Sequence, residues 1–168
     1  MPFLNVEYLK KEEGKREQVS FTGELPPVAA DGGDIKLVKP ARFDLALTNI
    51  GDAIAVEGQV TVDLEVICSR CVENFIITIS PDFMETYYDQ TRYTDGPRED
   101  DWIPYSGDSI DITTEASNAI LVSLPLRFIC DADCQGLCSL CGTNLNKGKC
   151  NCEKENNDPR LAKLKELL

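Results

Sequence analysis

Eight cysteines carry the chemistry open to this sequence, and six of them fall within the 23 residues from Cys130 to Cys152, CDADCQGLCSLCGTNLNKGKCNC. Their spacing is Cys-x3-Cys-x3-Cys-x2-Cys-x8-Cys-x-Cys, with Gly136, Gly142 and Gly148 between them. Upstream, Cys68-Ser-Arg-Cys71 repeats the Cys-x2-Cys step. Thiolates two to four residues apart on a tight turn can converge on one centre, and glycine supplies the positive-φ positions such turns need. The pattern predicts structural zinc, one or two ions. The preferred division places Cys138, Cys141, Cys150 and Cys152 around one ion, and Cys68, Cys71, Cys130 and Cys134 around the other. The spacing also permits a single site with spare thiols, or a set in which Cys130 and Cys134 join Cys138 and Cys141.

Two other uses of clustered cysteine compete. A disulfide framework suits a small secreted chain, but the start MPFLNVEYLKKEEGK has no apolar stretch behind a basic head. No window approaches 18 uninterrupted apolar residues either, so the expectation is a cytoplasmic chain with reduced thiols and no membrane partner. A thiol redox switch would follow from oxidation of a zinc site. Catalysis finds little support. The chain has no histidine, the commonest general base and open-site zinc ligand, and four-thiolate sites leave no position for a reactive water. Phosphate-loop, dinucleotide and nucleophile-elbow motifs are absent, so neither a catalytic residue nor a small-molecule substrate is expected.

The net charge of -12 is uneven. Residues 82–115 hold 2 Lys+Arg against 10 Asp+Glu, while residues 116–168 hold 7 against 6. Bulk attraction to nucleic acid is therefore excluded, because phosphate neutralisation needs clustered cations. An RNA contact has to be local, with Arg127, Lys147, Lys149, Lys154 and Arg160 as candidates. A basic protein is the alternative partner.

The elements that position the cysteines follow from the apolar period. Short strands are expected over Phe3 to Leu9 and Glu17 to Phe21, with loops around Leu25-Pro-Pro27 and Asp31-Gly-Gly33. Phe43, Leu45 and Leu47 alternate with polar neighbours; after the turn Asn49-Ile-Gly-Asp52, Ile54, Val56, Val60, Val62, Leu64 and Val66 do the same. Gly58 is a candidate bulge in that long strand. Phe75 to Ile79 resumes the sheet, which puts Cys68 and Cys71 at a hairpin tip, and Asp82 to Tyr88 continues it. The polar stretch 89–108, with Gly96-Pro97 and Glu99-Asp-Asp101, predicts a solvated loop on which Trp102 packs against the sheet. A helix is expected from Asp111 to Leu124, with Asp111 or Thr113 as N-cap, an apolar stripe of Ala116, Ile120, Leu121 and Leu124, and Pro125 as its stop. Asp158-Pro159 opens a short C-terminal helix striped by Leu161, Leu164, Leu167 and Leu168.

The resulting expectation is α+β: an antiparallel sheet, a partly open barrel or meander, with a covering helix and a C-terminal Cys-rich zinc-binding tail ending in a short helix. Residues 1–129 form the sheet and helix domain, and residues 130–168 pack on it as the tail.

Several motifs together resemble one known family. They are Cys68-Ser-Arg-Cys71 on a strand, Leu124-Pro-Leu, Cys130-x3-Cys134-x-Gly136-Leu-Cys138-x2-Cys-Gly142-x-Asn144-Leu-Asn146, and Asp158-Pro-Arg160-Leu-Ala. They are similar to the YceD family of large ribosomal RNA subunit accumulation proteins, over most of the chain from about Val60. The resemblance implies a bacterial cytosolic protein that supports accumulation of 23S rRNA through large-subunit assembly, with 23S rRNA or a large-subunit ribosomal protein as partner.

Overall fold

The computed structural model describes residues 1–30, 33–92 and 101–152. The chain divides into two compact units. The first comprises Met1–Val66 and Asn74–Leu126; the second comprises Ile67–Glu73 and, among the described residues, 127–152.

The first unit is α+β. Its strands are β1 (Phe3–Asn5), β2 (Arg16–Gly23), β3 (Val28–Ala30), β4 (Gly33–Ile35), β5 (Ala41–Asn49), β6 (Ala53–Ile67), β7 (Asn74–Ile79), β8 (Asp82–Asp89), β9 (Ile103–Tyr105) and β10 (Ser109–Asp111). A 3-10 turn spans Leu9–Lys11 and one helix, α1, spans Thr113–Ser123. The main sheet runs β2-β5-β6-β8-β9, with β7 also paired to β6. The registers of β2 with β5, β5 with β6, and β6 with β8 are antiparallel, whereas β9 joins β8 in parallel. β1 with β10 and β3 with β4 make two small antiparallel pairs.

Strand β6 organises this unit. Its first half pairs with β5 from Ile54 to Thr61 and with β8 from Ala53 to Gln59. Its even positions Ile54, Val56, Val60, Val62, Leu64 and Val66 are all buried. Val60 stands opposite Phe43, Val56 opposite Leu47 and Ile54 opposite Tyr87, and Leu45 of β5 and Phe83 of β8 are buried as well. Burying a side chain of this size contributes about 1.5–3 kcal/mol, so a one-residue slip, which would turn all six to solvent, is strongly opposed. Helix α1 packs on β3 and β8 and buries Ala116 and Ile120. It stops at Ser123 because Leu124 turns extended (φ -61, ψ 134) ahead of Pro125.

Some expectations need correction. Gly58 is not a bulge: its pairing to Leu45 and Phe83 is continuous, and it is glycine because a Cβ would overlap the Asp44 carbonyl oxygen and lie 2.8 Å from Leu45 Cα. The N-cap of α1 is Ile112; Asp111 acts one residue earlier, where its carboxylate accepts the Thr113 N–H at 2.9 Å. Leu121 lies off the buried stripe and is 42% exposed. Only Phe3–Asn5 of the first expected strand is extended, because the chain turns into the 3-10 segment. The supposed loop after β8 contains β9, and Trp102 just before it is half-buried. The C-terminal helix expected over 158–168, the Gly96-Pro97 turn, and Asp31 with Gly32 lie outside the described residues.

One polar cluster is buried among these strands. Asp89, at the end of β8, accepts hydrogen bonds from the Thr91 hydroxyl (2.6 Å) and backbone N–H (3.0 Å). It also pairs with Lys10 Nζ at 3.4 Å; the same ammonium reaches Asp108 at 3.0 Å and the Gly107 carbonyl at 2.6 Å. A carboxylate this buried needs such partners to remain ionised. Among the described residues, no helix is long and apolar enough to cross a membrane.

Candidate metal centres

The second unit is built around two quartets of thiols, Cys68, Cys71, Cys130 and Cys134, and Cys138, Cys141, Cys150 and Cys152. Within each, the four sulfurs lie within 4.8 Å of one another, and each quartet could hold a metal ion. Cys68 Sγ stands 3.9 Å from Cys134 Sγ, and Cys71 Sγ 3.7 Å from Cys130 Sγ. Four sulfurs about 2.3 Å from a tetrahedral ion would stand about 3.8 Å apart. A disulfide needs about 2.05 Å, and all eight cysteines are free. The structure thus groups the thiols by the preferred division and not by the alternative that joins Cys130 and Cys134 to Cys138 and Cys141.

Each quartet begins with the same knuckle. In Cys68-Ser-Arg-Cys-Val-Glu73, the Cys68 N–H donates to the Glu73 carbonyl at 2.9 Å and the Val72 N–H to the Cys68 carbonyl at 2.9 Å. In Cys138-Ser-Leu-Cys-Gly-Thr143, the Cys138 N–H donates to Thr143 at 2.8 Å and the Gly142 N–H to Cys138 at 2.9 Å. The residue after the second cysteine is left-handed in both, Val72 at φ 60 and Gly142 at φ 72. Each knuckle closes a hairpin: the first joins β6 to β7, and the second is flanked by the antiparallel bridge between Leu137 and Asn144.

The remaining contacts lock these turns together. The Ser69 N–H donates to the Phe128 carbonyl at 2.8 Å and the Leu137 N–H to the Arg70 carbonyl at 3.1 Å. The second contact requires glycine at 136, where φ is +71 and a Cβ would stand 3.0 Å from the Arg70 carbonyl oxygen. Lys147 Nζ bonds Glu73 at 2.6 Å, and Asn144 Nδ2 donates to the same carboxylate at 3.3 Å.

The thiols are electrostatically unequal. Burial raises Cys68, but backbone N–H groups of Cys130, Cys71 and Arg70 outweigh it and bring the thiol down to about 6. Cys130 is pushed up to about 12 by burial and by the sulfurs beside it. In the second quartet, the Thr143 hydroxyl and backbone N–H bring Cys141 down to about 6, while Cys152 is pushed up to about 12 by its contact with Cys141 and by burial. Beside these, Cys71 is raised and Cys138 is lowered; the thiols pulled down all accept backbone N–H or hydroxyl hydrogen bonds, and a metal ion bound by all four sulfurs would displace the remaining thiol protons.

Of the candidate RNA contacts, Arg127 is exposed and lines a cleft with Ser69, Arg70 and Ile129. Lys147 is committed to Glu73, and Lys149 is exposed. Lys154 and Arg160 lie outside the described residues. Sequence reasoning gave no role to Arg70, Glu73, Thr143 or Asn144, although Arg70 and Asn144 stand within the motifs it quoted. The parallel between Cys68-Ser-Arg-Cys71 and Cys138-Ser-Leu-Cys141 was the available signal for the paired knuckles.

Residues 56–168 match the family model described as "Large ribosomal RNA subunit accumulation protein YceD", a span that includes every cysteine. The chain belongs to the YceD family. It is similar to an uncharacterized protein of Mycobacterium leprae, 28% identical over 154 residues, which is 86% of this chain and 68% of the relative. It is 38% identical over 58 residues to "Large ribosomal RNA subunit accumulation protein YCED homolog 1, chloroplastic" of Arabidopsis thaliana, covering 34% of this chain and 18% of that protein. The Zea mays protein of the same name is 25% identical over 146 residues, covering 70% of this chain and 50% of the relative. The matched region spans about two thirds of the Mycobacterium leprae relative and half or less of the two plant relatives. No solved structure matches the chain.

Proposed function

We propose that the protein is a non-catalytic cytoplasmic factor that supports 23S rRNA accumulation during assembly of the large ribosomal subunit. The observation that carries this reading is the match of the YceD family over residues 56–168, the region that holds both thiol quartets. The quartets bind zinc, one ion each, as structural supports. Sulfur separations of 3.7 and 3.9 Å suit that ion, and four protein ligands leave it no coordination position for a reactant. The zinc-held unit is the part that meets the assembling subunit.

A second reading has its own support. The first unit carries 9 Lys+Arg against 22 Asp+Glu, whereas residues 67–73 and 127–152 carry 4 against 3. An acidic sheet unit of this kind would hold a basic ribosomal protein until delivery.

Depletion of the protein in its own cells tests the first reading, with 23S and 16S rRNA measured together and bound RNA and protein recovered by crosslinking. The expected result is a fall in 23S relative to 16S, with precursor large-subunit particles. An unchanged ratio overturns the assignment. Recovery of a ribosomal protein without RNA replaces the first reading with the second.

A further inference from the structure

Two arginines of the cysteine unit share a cleft of about 340 Å3, lined by Ser69, Arg70, Arg127 and Ile129. The chain has 29 acidic residues, yet neither guanidinium has a carboxylate partner among the described residues. The ion pairs found there use Lys10, Lys11, Lys39, Arg42, Arg92 and Lys147 instead. Arg70 is anchored through one nitrogen only: Nη1 donates to the carbonyls of Ala132 (3.2 Å) and Cys134 (3.1 Å), while Nε and Nη2 make no hydrogen bond among the described residues. The Ser69-to-Phe128 backbone bond holds the first knuckle beside the stretch that bears Arg127.

Two guanidinium groups without a carboxylate partner among the described residues leave this cleft with positive charge for an anion to neutralise. Arginine's planar fork matches two oxygens of a phosphate, and a fork already fixed at one nitrogen loses less freedom on binding. Another cleft of this unit, about 450 Å3, offers an anion no such site: Glu73, Asp131 and Asp133 line it, and its cation, Lys147, is already paired. We infer that Ser69, Arg70 and Arg127 form a binding cleft for the phosphodiester backbone of RNA; the inference rests on the rRNA reading above. A filled four-thiolate quartet carries two net negative charges, so the cleft works at contact range and not by attraction of the whole unit.

The test is binding of a fluorescein-labelled single-stranded RNA oligonucleotide to the full chain loaded with zinc, at several salt concentrations. Arg127→Glu should weaken binding roughly three- to tenfold at low salt and reduce the slope of log affinity against log salt by about one. Lys36→Glu makes the same charge change at an exposed position of the sheet unit and should stay within about twofold. Arg70→Lys keeps the charge but loses the fork, and should weaken binding with zinc content unchanged. Equal losses from Arg127→Glu and Lys36→Glu would overturn the cleft in favour of diffuse attraction. No RNA binding by the wild-type protein would also overturn it, leaving 23S accumulation to the depletion measurement. If depletion spares 23S while RNA binding still depends on Arg127, the cleft stands and the 23S assignment falls.

Discussion

The two units hold their shape by different physical means. In the first, β6 alone buries six aliphatic side chains at its even positions, and the sheet registers follow from which face they occupy. In the second, the described stretch 127–152 buries only Cys134, Gly136 and Cys138, and Leu140 is 61% exposed. A segment with so little apolar burial cannot offset its chain entropy by that route, and small metal-bound modules fold on metal binding for this reason. The contrast also separates chemistry from scaffold: all eight thiols and the arginine cleft belong to the second unit.

Metal removal should therefore produce the largest effect and confine it to one unit. Zinc content should be two equivalents per chain, and stripping by a chelator strong enough to compete with four thiolates should release both. NMR signals of residues 67–73 and 127–152 should collapse to narrow dispersion while those of β5, β6 and β8 persist. The second quartet should empty first, because only Cys138 of its four thiols is buried, whereas three of the first quartet, Cys68, Cys71 and Cys134, are buried and Cys130 alone is exposed. Loss of the sheet signals together with the metal would break the comparison.

The same contrast explains what could be read from the chain. Alternation made β5 and β6 legible because each buries one face, β7 and β8 were expected only as continuations of that sheet, and thiol spacing made the quartets legible because metal geometry is local. β9 was hidden: three residues with Pro104 in the middle carry no period, and its parallel pairing with β8 depends on tertiary placement. Gly58 reads as a bulge from its sequence position, yet the cause is a close backbone approach from β5. The arginine cleft was missed because Arg70 and Arg127 are 57 positions apart and are brought together by tertiary contacts such as the Ser69-to-Phe128 bond.

The two knuckles sharpen the comparison at single-residue scale. Both need a left-handed residue after the second cysteine; Gly142 adopts it freely, whereas a β-branched Val72 there is strained by on the order of 1–3 kcal/mol. Such strain persists where the surroundings over-determine the backbone, and the first knuckle has N–H contacts to Cys68 Sγ from Arg70 (3.4 Å) and Cys130 (3.5 Å). Gly142→Val should thus weaken zinc retention in the second quartet by about the strain energy, measured by competition with a chromophoric chelator. Val72→Gly should leave retention in the first quartet unchanged or improve it by up to about 1 kcal/mol, because relief of strain exceeds the entropy glycine adds to the unfolded chain. A marked loss on Val72→Gly would mean that the valine side chain itself supports the quartet.

Acid tests the sheet unit by a route independent of metal. Burial works to raise the Asp89 carboxyl, but the Thr91 hydroxyl and N–H and the Lys10 ammonium outweigh it and hold it below its ordinary value. A group whose folded pKa lies below its unfolded pKa contributes stability above the unfolded value and loses it as pH falls through the folded one. Asp89→Asn leaves Lys10 with a weaker partner at a buried position and should cost about 1–3 kcal/mol at neutral pH. The deficit should shrink toward zero as pH falls below the ordinary aspartate range near 4. Urea denaturation followed through β-sheet circular dichroism at neutral and acid pH measures both. A constant deficit across that range would show that Asp89 acts through packing and not through its charge, and would leave the sheet unit's acid sensitivity to its exposed carboxylates.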